Sequence, residues 1–167
     1  MAPVTEAAAR PTGRLGQRLT YLVKQLQVVE RVRMEEVLGP LDVTLPQYTA
    51  LSLLERRGGL SSAQLARRHY VTPQAMHQLV ATMEREGLIE RRVDETNRRI
   101  LRAWLTAHGA DVLRSCHEAV DAVEGRMLSA LTPEEADVFA RALELCLAAL
   151  DGPGTPRPAA PEDESEP

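Results

Sequence analysis

The apolar residues of this chain keep a helical spacing through most of its length but lose it between Leu88 and Leu105. In that interval Leu88-Ile89-Glu90-Arg91-Arg92-Val93 and Ile100-Leu101-Arg102-Ala103-Trp104-Leu105 each read as a short strand. The residues between them, Asp94-Glu95-Thr96-Asn97-Arg98-Arg99, read as a polar, charged turn. Just upstream stand two closely spaced helix starts. Ser61-Ser62-Ala63-Gln64 has the form of a capping box, and Thr72-Pro73 is an N-cap followed by proline at the first helical position. Two short helices joined by a tight turn and followed by a two-stranded ribbon make a winged helix-turn-helix. The predicted fold class is mainly α with a small β-wing.

Longer helices flank this unit. Leu15, Leu19, Leu22, Leu26, Val29 and Val32 form one stripe over residues 15–37, which Gly39-Pro40 stops. Thr44-Leu45-Pro46-Gln47 is a second capping box, and its helix runs through Tyr48, Leu51, Leu54 and Glu55 to Gly58-Gly59. Arg56 and Arg57 sit in its last turn, where cations suit the helix dipole. The third helix points Leu65 and Ala66 inward and Arg67 and Arg68 outward. The fourth is predicted to bury Met76, Leu79, Val80 and Met83, to end at Gly87, and to turn Gln74, His77, Gln78 and Ala81 outward. A fifth opens at 106–109, with the stripe Leu113, Cys116, Val120, Val123, Met127 and Leu131. The sixth starts at Thr132-Pro133-Glu134-Glu135 and is predicted to bury Val138, Phe139, Ala142, Leu143, Cys146 and Leu150. The expected organisation is a loose arm (1–14), a dimerisation helix and linker (15–43), the winged helix-turn-helix (44–105), C-terminal dimerisation helices (106–151) and a disordered acidic, proline-rich tail (152–167).

The formal net charge of −4 argues at first against a nucleic-acid partner, but it is an average over unlike parts. Counted along the chain, residues 1–54 carry +1, 55–105 carry +4, 106–150 carry −5 and 151–167 carry −4. The excess of positive charge coincides with the winged unit. No apolar run approaches the roughly 18 residues of a membrane helix, and no signal peptide is expected. Two cysteines, Cys116 and Cys146, make no disulfide framework and are expected as reduced thiols in a cytoplasmic protein. His108, Cys116 and His117 lack a zinc spacing, so neither metal nor cofactor is expected. Only Cys116 and His117 stand even loosely as nucleophile and base, and adjacent residues on a helix point about 100° apart, so the chain does not read as an enzyme.

Leu60 to Gly109 resembles the multiple-antibiotic-resistance regulator (MarR) family of bacterial transcription factors. The resemblance rests on Gln64-Leu65-Ala66, Val71-Thr72-Pro73, Leu79-Val80, Glu86-Gly87-Leu88-Ile89-Glu90-Arg91, Asp94 through Arg99, and Leu105-Thr106-Ala107-His108-Gly109. With the six-helix order it covers about residues 15–150. It implies an interleaved homodimer, joined by the N- and C-terminal helices, that represses transcription from a pseudo-palindromic operator. Independently, the long apolar stripes exceed what a small winged domain can cover. One departure is Asn97, where the family places an aspartate before its paired arginines, so a looser or differently aimed wing is expected.

The candidate DNA contacts are Ser61, Ser62, Arg67, Arg68 and Thr72 around the turn, Gln74, Ala75, His77 and Gln78 on the recognition helix, and Arg98 and Arg99 at the wing tip. A glutamine can pair bidentately with adenine, so some A·T readout is expected. The resemblance also implies release from DNA by a small aromatic or anionic effector, for which Arg18, Tyr48, His69 and Trp104 are candidate ligands; Tyr48 and Trp104 serve equally well as packing residues. Two other readings stand beside this one. A helical protein-interaction module that has lost DNA binding would ignore polyanions, and a thiol-dependent enzyme or peroxide sensor would depend on Cys116.

Overall fold

The computed structural model describes residues 18–69 and 71–150. The predicted arm and tail, and Leu15, lie outside the described residues. The order is α1 (Leu19–Leu38), a single 3-10 turn (Gly39–Leu41), α2 (Leu45–Arg56), β1 (Leu60–Ser61), α3 (Ser62–His69), α4 (Pro73–Arg85), β2 (Ile89–Val93), β3 (Leu101–Leu105), α5 (Ala107–Leu128) and α6 (Pro133–Leu150). Among these helices none is long and apolar enough to cross a membrane.

The side chains that signal helix starts in the sequence make the caps. Thr44 Oγ1 accepts from the backbone N–H of Gln47 at 3.3 Å, while the Gln47 side chain accepts from the Thr44 N–H at 2.8 Å. Ser61 and Gln64 make the same reciprocal pair at 3.3 and 2.9 Å, as do Thr132 and Glu135. Each pair satisfies a donor that would otherwise lack a partner. Thr72 Oγ1 accepts from the Ala75 N–H at 3.1 Å. At the far end of α4, Gly87 takes φ +71°. The N–H of Leu88 then reaches the Met83 carbonyl and that of Gly87 the Glu84 carbonyl, closing the helix with a Schellman motif.

The ribbon is wider than the sequence suggests. β1 adds to β3 through Leu60 opposite Ala103, so the antiparallel sheet has the order β1-β3-β2. A strand of two residues has no period to detect, and only its pairing makes it one. β2 and β3 pair from Ile89 opposite Leu105 to Val93 opposite Leu101.

Two apolar clusters form the core. One joins α2, α3, α4, the sheet and α5 through Leu51, Leu54, Leu65, Met76, Val80, Met83, Ile89 and Leu113. The other joins α1 and α5 through Met34, Leu38, Val43, Cys116 and Val120, with Leu45 and Tyr48 of α2 packed against it. Leu105-Thr106-Ala107-His108-Gly109 locks the exit from β3 into α5. Thr106 Oγ1 accepts from the Gly109 N–H and donates to the Gly87 carbonyl at 2.6 Å.

The outer helices differ from expectation within one chain. None of the residues predicted inward on α6 is buried, and Val138 is 68% exposed. On α1 the buried residues are Met34 and Leu38, while Leu19, Leu22, Leu26, Val29 and Val32 are exposed. The α5 stripe is buried at Leu113, Cys116 and Val120 and exposed at Met127 and Leu131. Helical spacing identifies an apolar face but does not say whether the same chain covers it.

Candidate nucleic-acid interface and adjoining cavity

The turn between α3 and α4 is closed by the Val71 N–H donating to the Ala66 carbonyl. Met76, Val80 and Met83 anchor α4 in the core, with Leu79 half-buried beside them. That anchoring leaves Gln74, His77, Gln78 and Ala81 exposed, as the sequence predicts, and Ala75 half-buried. Ser61 and Ser62 are half-buried at the start of α3, whereas Arg67 and Arg68 are exposed. Thr72 is exposed while serving as the α4 cap.

Ion pairs sort the basic residues of this module. Arg91 is paired with Glu84 of α4, Arg92 with Glu90, and Arg102 with Asp94. Arg67, Arg68, Arg98 and Arg99 have no ion-pair partner among the described residues. Arg56 and Arg57 at the end of α2 and Arg85 at the end of α4 are likewise without an ion pair among the described residues, so the uncompensated positive charge includes, but is not confined to, α3 and the wing tip.

The wing turn is held by a residue that sequence reasoning passed over. Asp94 is buried, and its Oδ1 accepts from the N–H groups of Thr96 and Asn97 at 2.9 and 2.8 Å and from the Thr96 hydroxyl. Its other oxygen takes the Arg102 guanidinium, which also donates to the Gly59 carbonyl at 2.8 Å. The Thr96 hydroxyl first, then Arg102, hold the Asp94 carboxyl well below the usual carboxylate range. Asn97 accepts from the Arg99 N–H through its side chain at 3.1 Å, and its carbonyl accepts from Ile100 at 2.9 Å. Asn97 thus holds Arg99 and Ile100 from within the turn, while the buried carboxylate at the base of the wing is Asp94.

A cavity of about 270 Å³ opens between the outer helices and the winged module. Glu30 and Met34 line it from α1, Leu45, Tyr48 and Thr49 from α2, and Val120, Val123, Glu124 and Met127 from α5. Of the four candidate effector residues, Tyr48 alone is in its wall. Arg18 precedes α1, where its carbonyl accepts from the N–H groups of Tyr21 and Leu22. His69 Nε2 lies 2.9 Å from the Pro46 carbonyl and ties α3 to α2. Trp104 lies against Gly58 and Gly59, where an added Cβ would come within 3.0 Å of its ring, and Arg92 stacks over it at 5.4 Å. The i, i+4 pair Glu30 and Met34, and the spacing of Val120, Val123, Glu124 and Met127, are the sequence signals that could have found the other walls.

Tyr48 is tied to α5. Its hydroxyl lies 3.1 Å from Nδ1 of His117, whose Nε2 lies 3.0 Å from the Glu55 carboxylate. An imidazole that donates from Nε2 to Glu55 has Nδ1 free to accept from Tyr48. Burial pushes the Tyr48 hydroxyl pKa up. Cys116 is buried in the second core cluster, and burial pushes its thiol pKa up as well, so it stays a protonated apolar side chain. Cys146 is exposed on α6 in the single chain.

Comparison with known proteins agrees with this architecture. Residues 41–100 match the sequence model of the MarR family. The HTH-type transcriptional repressor Rv2887 of Mycobacterium tuberculosis is 37% identical over 126 residues, which span 75% of this chain and 91% of the relative. The Escherichia coli transcriptional regulator HosA is 31% identical over 98 residues, spanning 59% of this chain and 73% of HosA. Among solved structures, Rv2887 in complex with DNA superposes with a TM-score of 0.68 at 35% identity, covering 78% of this chain and 98% of that one. Rv2887 in complex with p-aminosalicylic acid gives a TM-score of 0.66 at the same identity and coverage. Apo MarR from Escherichia coli, at 22% identity and a TM-score of 0.69, has the same fold. By its winged module, its element order and the length over which it matches these relatives, the chain belongs to the MarR family.

Proposed function

We propose that the chain is a homodimeric, sequence-specific DNA-binding transcriptional repressor whose hold on its operator is controlled by a small molecule. The observation that carries this reading is the pairing of a solvent-facing α4 surface with uncompensated arginines on α3 and the wing tip. In this reading α4 enters the major groove, where Gln74, Ala75, His77 and Gln78 meet base edges. Ser61, Ser62, Arg67, Arg68 and Thr72 hold phosphates on either side. Arg98 and Arg99 reach along the minor groove, where a narrow groove concentrates negative potential. Similarity to Rv2887, solved with DNA, supports the assignment.

The exposed apolar stripes of α1, α5 and α6 are the surface a second copy would cover. A two-fold dimer then sets two α4 helices about 34 Å apart, one turn of duplex. The cavity between α1, α2 and α5 lies where the dimer helices meet the winged module. A ligand that prefers a dimer with mismatched recognition helices shifts the population away from the DNA-bound form. Rv2887 has been solved with salicylic acid and with p-aminosalicylic acid, which supports such control here.

The test is fluorescence anisotropy of the purified chain with a duplex from its own gene's upstream region, at several salt concentrations, beside a sizing measurement. The expected result is a dimer with a salt-dependent affinity well above that for scrambled duplex. Equal binding to every duplex, or none, would sink the proposal.

A further inference from the structure

The cavity has polar walls of one charge sign. Glu30 and Glu124 line it, and among the described residues no arginine, lysine or histidine does. Neither carboxylate has an ion pair or side-chain hydrogen bond among the described residues. Burial, and after it the neighbouring Glu124, pushes the Glu30 carboxyl pKa up.

The hydroxyls in the wall do not compensate. Thr49 donates its proton to the Leu45 carbonyl at 2.9 Å, and the Tyr48 hydroxyl is engaged by Nδ1 of His117 at 3.1 Å. An anionic ligand would therefore meet two carboxylates and, among the described residues, no cationic donor. A cation would meet two acceptors, with Met34, Val120, Val123 and Met127 as an apolar floor.

We propose that this cavity selects an amphipathic cation, a protonated amine on a one- or two-ring apolar body, with its ammonium held by Glu30 and Glu124. The inference rests on the reading of the cavity as the effector site and adds the ligand's charge to it. The same two carboxylates act against aromatic acids, since discrimination comes as much from a repulsive element as from an attractive one. The volume of about 270 Å³ lies at the small end for ligand sites, which limits the body to a ring or two.

Matched probes test it. The full-length dimer is titrated near neutral pH with 1-naphthylmethylamine and with 1-naphthoate, which share a ring system and differ in charge. The amine is expected to bind about tenfold more tightly, as charge-assisted hydrogen bonds would give. Replacing both carboxylates (Glu30→Gln with Glu124→Gln) is expected to lower amine affinity by about tenfold and to leave naphthoate unchanged or improved. If that pair does not fold, Glu124→Gln alone, at an exposed side chain, is expected to lower amine affinity only. Val123→Trp, which fills the cavity, should abolish binding of both probes. Naphthoate binding as tightly as the amine, yet lost in Val123→Trp, would overturn the charge assignment and keep the cavity as effector site. An amine affinity unchanged by the glutamine variants would overturn the assignment too. Failure of both probes to bind would overturn the charge assignment and the effector reading together.

Discussion

Gly109 lies so close to Leu88 that a Cβ on it would sit 1.9 Å from the Leu88 carbonyl oxygen. The neighbour is backbone at the start of β2, held in turn by the Thr106 N–H, which donates to that same oxygen at 3.1 Å. The helix that leaves the wing is thus pressed against the turn that enters it.

Gly109→Ala should therefore destabilise the fold, because neither backbone segment can give way independently. The expected loss is about 3 kcal/mol, the upper end for overpacking, read as a fall of roughly 10 °C in the melting temperature. His108→Ala, at an exposed neighbouring position, serves as the control and should move the midpoint by less than about 1 °C.

Asp94→Asn should loosen the wing without unfolding the core. The lowered folded-state pKa means that the carboxylate stabilises the wing above the ordinary carboxylate range. That contribution is lost as pH falls from the unfolded-state value toward the folded one. Protection of the Thr96 and Asn97 amides against hydrogen exchange, taken relative to unstructured amides at the same pH, should fall in acid in the wild type, and in Asp94→Asn it should be low at every pH. Protection that is the same in both proteins would refute the role given to this carboxylate.

Arg98→Ala and Arg99→Ala should weaken DNA binding across sequences rather than at one position. If each removes one phosphate or minor-groove contact per protomer, the slope of log affinity against log salt should fall by about 2 for the dimer. Gln78→Ala should instead keep the slope and relax preference at one base pair of each half-site, at about 1–3 kcal/mol for the cognate base. Competition against a set of singly substituted duplexes reads both effects.

Leu147→Glu should separate the dimer. Leu147 is 61% exposed in the single chain and belongs to neither buried apolar cluster, so a charge there costs the described core little. The expected outcome is a monomer by light scattering whose affinity for duplex falls to the non-specific level. A variant that stays dimeric and binds normally would place the interface elsewhere.

What was legible in the sequence was local chemistry. Thr44 with Gln47, Ser61 with Gln64 and Thr132 with Glu135 declare helix starts because cap and partner lie three residues apart on the chain. Gly87 marks an end because only a left-handed residue completes that cap. The outward face of α4 followed from the spacing of Met76, Val80 and Met83. Residues whose role depends on distant partners were not legible. β1 exists through Ala103, more than forty residues away. Asp94 looked like one more turn residue until Arg102 and Gly59 came to it. The paired Glu30 and Glu124 sit on helices far apart in sequence, and only packing makes them neighbours. Trp104, which the sequence leaves open between effector contact and packing, fills the space that Gly58 and Gly59 leave bare.

The imidazole of His117 meets α2 twice, at Tyr48 and at Glu55, two turns apart on one face of the helix. Both contacts end on one ring, so a roll or slide of α2 against α5 must break at least one of them. α2 is thereby tied to α5, and a displacement of α5 is passed to the winged module through α2. The gap between the two α4 helices of a dimer is then a matter of how the long helices of the two copies cross. A molecule wedged among α1, α2 and α5 would act on DNA by steering that crossing, leaving each reading head intact.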